Sequence, residues 1–127
     1  MVIDENNYVD PRENPNFLLN SSDEGLFMRI GRIDFQIEHG YYDPDEILKA
    51  DWGDKGKEIF ERYAKVVKSR ICKYYNGMRE SGVLDTTEKV YFFILGYLMG
   101  IDVHRAIAGC VAAIIAKQGL YSLCKEG

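Results

Sequence analysis

Hydrophobic and polar positions change rhythm several times along the chain. Residues 26–38, "LFMRIGRIDFQIE", alternate: Leu26, Met28 and Ile30 share one phase, and Ile33, Phe35 and Ile37 the other. The phase flips at Gly31, where a bulge or tight turn is easy. This spacing predicts one bent strand or a short two-stranded hairpin packed on something larger.

Helical spacing follows. In "YYDPDEILKADWG", Asp43 is placed to cap a helix, with Pro44 at the first helical position and Asp45 and Glu46 in the first turn. The cap accepts an orphan backbone N–H, and the carboxylates oppose the positive helix end. Gly53 is read as the stop of this short helix. A second helix is predicted from about Asp54 to Asn76. Its apolar stripe is Ile59, Tyr63, Val66, Val67, Ile71 and Tyr74, and Glu58–Arg62 lies on the other side. Asp85 or Thr86 caps a third helix, with Glu88 placed as in a capping box. No charge occurs from Val90 to Ile101. Asp102 is expected to cap a fourth helix that continues to about Gln118, and "GLYSLCKEG" adds a turn.

The charge-free run is too short for a membrane span. A spanning helix needs about twenty apolar residues, and Asp102, His104 and Arg105 interrupt this one. A short helix that is apolar on all sides reads as the buried centre of a domain, so the third helix is expected in the core. The fourth is rich in small residues. Gly109, Ala112 and Ala113 form a flat surface suited either to tight packing within the chain or to a homodimer seam.

The predicted fold is therefore mostly α: a compact three- to four-helix domain with a small β-strand or hairpin element and a flexible N-terminal arm. Residues 1–24 are polar and contain two prolines, which suits an arm that cannot offset its ordering entropy. Residues 25–127 form the globular domain.

Composition narrows function. Sixteen basic against twenty acidic residues give a net charge of −4, which argues against a dedicated nucleic-acid binder. Three cysteines, Cys72, Cys110 and Cys124, form no CxxC pair and no even set. With the acidic, polar N-terminus they predict a reducing, cytoplasmic setting.

Candidate chemistry is sparse. His39 and His104 are the two histidines, and neither lies in a metal-binding spacing. Cys110 in "AIAGCVAAI" is expected to be an inert, buried thiol. Gly53, Gly56 and Lys57 could meet an anion at a helix start, but Asp51 and Asp54 oppose it. Arg62, Lys65, Lys68, Arg70 and Lys73 with Tyr63 and Tyr74 resemble a nucleic-acid face only in outline. The joint "GYLMGIDVHRA" has helix-turn-helix spacing, but the following helix lacks groove-reading side chains.

What remains is Tyr41 and Tyr42 beside Asp43, Asp45 and Glu46. Aromatic residues bury area at low entropy cost, and carboxylates steer toward a basic surface. Trp52 nearby is assigned to the core. The expected function is a non-enzymatic protein-binding module, such as an inhibitor, immunity-type or adaptor protein, acting through this acidic and aromatic surface without a cofactor or metal. The alternative is a small ligand-binding or catalytic homodimer whose site between helices uses Tyr63, His104 and Arg105.

Overall fold

The computed structural model describes residues 10–39, 52–74, 77 and 86–124. Every regular element among them is helical. The order is α1 (Pro15–Leu19), α2 (Asp23–His39), α3 (Trp52–Ile71) running into a 3-10 turn (Cys72–Tyr74), α4 (Thr87–Gly100), α5 (Arg105–Gln118) and α6 (Leu120–Cys124). The mostly α expectation holds. The strand or hairpin does not form, because residues 26–38 lie within α2.

The same residues satisfy a helix as well as an alternation. Leu26, Ile30, Ile33 and Ile37 recur at helical spacing. Leu26 and Ile30 are fully buried, and Ile33 and Ile37 pack against the core. Met28, which a strand would have placed in phase with Leu26 and Ile30, is 48% exposed. Ser22 starts the helix by accepting the Gly25 N–H on its hydroxyl at 3.0 Å, and Asp23 and Glu24 occupy the favourable first turn.

Gly31 is neither bulge nor turn. A Cβ there would collide with the Trp52 carbonyl oxygen, and one at Gly56 would collide with the Phe27 carbonyl oxygen. The two glycines let α2 and α3 cross backbone to backbone. Rings close the crossing on both sides: Phe27 lies 5.6 Å from Phe60, and Phe35 lies edge-on to Trp52 at 5.1 Å. Trp52 is buried, as expected. Gly53 does not stop a helix, since α3 begins at Trp52 and runs through it.

The central helix is α5, not α4. Every residue from Ala106 to Ala116 is buried, and α5 meets α1, α2, α3, α4 and α6. Small side chains on all sides allow this, because each neighbour can approach closely. The more hydrophobic α4 buries only one side, formed by Val90, Tyr91, Ile94, Leu95 and Leu98.

The expected arm is packed structure from residue 10 onward; residues 1–9 lie outside the described part. Pro11 is fully buried, and its carbonyl accepts the buried Tyr91 hydroxyl at 2.6 Å. Leu18 is a core residue. Lys117, in the last turn of α5, donates to the Ser21 carbonyl at 2.6 Å and pairs with Asp23 at 2.7 Å. Polar composition concealed this packing, since Pro11 and Leu18 alone carry the burial of the segment.

The glycine crossing generates a prediction. Gly31→Ala and Gly56→Ala each raise helix propensity by about 1 kcal/mol, yet each forces a methyl group into a backbone carbonyl. Each is expected to lower the unfolding free energy by about 1–3 kcal/mol in urea titrations. Wild-type stability in either variant would show that the backbones do not touch.

Candidate functional site

The acidic and aromatic cluster Tyr41, Tyr42, Asp43, Asp45 and Glu46 lies outside the described residues. The other sequence candidates have places in the fold. Gly109, Ala112 and Ala113 are buried within the chain. A Cβ on Gly109 would run into the Pro11 ring and come within 3.1 Å of Leu18 Cδ1. Gly109 is therefore covered by the N-terminal segment of the same molecule, and Ala112 and Ala113 are fully buried within it.

Tyr63, His104 and Arg105 do separate jobs. Tyr63 is half-buried at the edge of the core. His104 is the N-cap of α5 and accepts the Ala106 N–H on Nδ1 at 3.1 Å. Burial, and then the neighbouring Arg105 charge, hold its pKa below the ordinary value. Arg105 is exposed, and its charge helps to lower the Asp10 pKa; the larger causes there are the hydrogen bonds from Arg12. Asp102, expected as the cap, instead takes a left-handed φ of 68° in the turn after α4, a conformation that aspartate tolerates better than most residues. On the N-terminal side of α4, Thr86 is the cap and accepts the Lys89 N–H. Gly56 is closed off by α2, so it offers no anion cradle.

The cysteines depart from expectation. Cys72 in the 3-10 turn and Cys124 in α6 form a disulfide across 52 residues. It pins the short α6 beside the end of α3. An odd count hid the pair, because the remaining Cys110 is buried and free. Burial pushes the Cys110 thiol up to about 12, which makes it inert, as the apolar setting implied. With two of three cysteines paired, the cysteine argument for a reducing compartment no longer stands.

The outer face of α3 carries two open grooves. One, of about 480 Å³, is lined by Glu58, Glu61, Arg62, Ala64, Lys65, Lys68 and Leu123. The other, of about 490 Å³, lies toward the end of α4 and is lined by Val66, Arg70, Lys73, Tyr74, Tyr97 and Ile101. No group of three or more potential metal ligands occurs among the described residues. No described helix is long and apolar enough to cross a membrane.

The surface that sequence reasoning missed is the outer side of α4. Lys89, Phe92, Gly96 and Gly100 follow one another at helical spacing and are all exposed, with Phe93 and Met99 half-buried beside them. Phe92 is 40% exposed, and Ile101 just beyond the helix is 43% exposed. Among the described residues, nothing lies within 4 Å of a Cβ built on Gly96 or Gly100. A surface helix normally turns charged residues outward. This one shows no charge between Lys89 and Asp102. The absence of charge is visible in the sequence, but it is equally compatible with burial on all sides.

No family model matches the chain, and no match is found among curated proteins or solved structures.

Two measurements follow from this geometry. A thiol reagent is expected to find no reactive cysteine in the native protein, one after unfolding without reductant, and three after unfolding and reduction. Three thiols in the unreduced, unfolded chain would remove the disulfide. The His104 cap should depend on pH. Its folded pKa is depressed, so its contribution is complete above the unfolded value of 6.5 and is lost as pH falls toward the folded value. His104→Ala should cost about 0.5–2 kcal/mol at neutral pH. In paired urea titrations the gap from wild type should narrow below about pH 6.

Proposed function

We propose that this is a small, non-enzymatic protein-binding module of the inhibitor, immunity or adaptor kind, with the outer side of α4 as its docking surface. The observation that carries this reading is the uncharged, partly aromatic face formed by Phe92, Gly96, Gly100 and Ile101. Apolar faces of this kind, rimmed by charge, mark places where another surface docks. Aromatic anchors supply most of the energy of such contacts. The adjacent groove of Val66, Arg70, Lys73, Tyr74, Tyr97 and Ile101 extends the apolar strip toward two cations. The acidic and aromatic stretch Tyr41–Glu46 supplies a second contact and steers toward a basic partner.

The ligand-binding alternative has less support. Tyr63, His104 and Arg105 are each engaged in packing, capping or charge contact. The test is site-specific photocross-linking in the native host, with the probe at Phe92, at Ile101 and, as a control, at exposed Glu24. Capture of a protein from Phe92 and Ile101 but not from Glu24 is expected. Equal capture from all three positions, or none, would place the α4 face in solvent and reject it as a docking surface.

A further inference from the structure

We infer that the Cys72–Cys124 disulfide is a redox switch: a dithiol reductant opens it in the folded protein, and α6 then leaves the end of α3 by turning at Gly119. Apart from this bond the hold on α6 is slight. The helix has five residues, whereas an isolated helix needs roughly twelve or more to persist in water. It packs against α5 and the 3-10 turn. Leu120 is its buried side chain, and Leu123 rests half-buried against the core. Gly119 joins it to α5 with a φ of 88°. Glycine has the widest backbone freedom of any residue, so the chain can change direction there.

The bond is within reach of a reductant. Cys72 and Cys124 are both half-buried, whereas the free Cys110 is sealed in the core. Exposed disulfides are the ones that exchange most readily with thiols. Lys68 and Arg70 lie in the last turn of α3, and Lys73 follows Cys72. The approach is therefore basic and favours an attacking thiolate. One thiolate of the dithiol attacks a sulfur of the pair and displaces the other as a thiolate. The second thiol of the reductant then resolves the mixed disulfide. The protein gains two electrons and two protons and holds two thiols, and the reductant leaves as a disulfide. Opening changes a surface. Leu123 is a wall of the groove that runs along Ala64, Lys65 and Lys68, and that wall moves with α6. The α2–α3 crossing and the α4–α5 pair are built without α6, so the core around Cys110 stays closed.

The test uses the full chain, oxidised with glutathione disulfide and then treated with dithiothreitol at neutral pH without denaturant. Free thiols are titrated, and chymotryptic cutting after the exposed Tyr121 of α6 is followed by mass spectrometry. Two thiols are expected to appear while Cys110 stays unreactive. Cutting after Tyr121 is expected to accelerate about tenfold or more, as for a segment released from local protection. Both changes should reverse on reoxidation. Cys124→Ser should be cut at the fast rate with or without dithiothreitol. A disulfide that does not form, or does not open in the folded chain, overturns the inference. So does cutting that is unchanged by reduction, that fails to reverse, or that still depends on dithiothreitol in Cys124→Ser. Labelling of Cys110 in the reduced wild type or in Cys124→Ser also overturns it, because the bond would then hold the whole fold rather than α6.

Discussion

A helix that hides eleven consecutive residues can be held only by neighbours on every side, and α5 imposes that requirement on its surroundings. Alanine and glycine contribute little apolar area each. Their value is proximity, because dispersion falls steeply with separation and a short side chain lets a neighbour come near. The segment around Pro11 and Leu18 fits against Gly109 for this reason. The Tyr91 hydroxyl then satisfies the Pro11 carbonyl that burial would otherwise leave orphaned. Lys117 ties the other end of α5 to the start of α2, where its charge opposes the negative end of one helix and its partner Asp23 the positive end of the other.

The α2–α3 pair repeats the principle at greater density. Two glycines on facing helices meet two carbonyl oxygens, so the backbones themselves form the contact. Aromatic pairs on either side fix where the helices cross. Two closely packed units result, the α2–α3 crossing and the α4–α5 pair, with α5 against α2. The disulfide then fastens α6 to the end of α3. Leu120 is the buried side chain of that five-residue helix, so the covalent link supplements a small apolar anchor.

Against this packing, α4 stands out for what it leaves uncovered. Its buried side is as well filled as α5, with Tyr91, Ile94 and Leu98 sealed from solvent. Its other side has the same apolar chemistry, and at Gly96 and Gly100 it has no neighbour among the described residues. A helix serving only as a lid on the core has no physical need for an uncharged outer face, and solubility disfavours one. The docking role proposed for that face gives it a use.

Local chemistry was legible in the sequence wherever the controlling atoms are close neighbours in the chain. The α3, α4 and α5 helices follow from spacing, Thr86 from cap chemistry, and the inert Cys110 from its apolar setting. Contacts between segments distant in sequence decided the rest. Leu26–Ile37 satisfy both strand and helix spacing, and the need to place Gly31 against Trp52 selects the helix. Gly109 reads first as an internal contact, with a dimer seam as the alternative, until Pro11 covers it. Cys72 and Cys124 give no local sign of pairing, because only the folding back of α6 brings them together. The charge-free run of α4 shows the boundary most clearly. Hydrophobicity records how much of a helix could be buried, and only the tertiary structure decides which side has a neighbour to bury it.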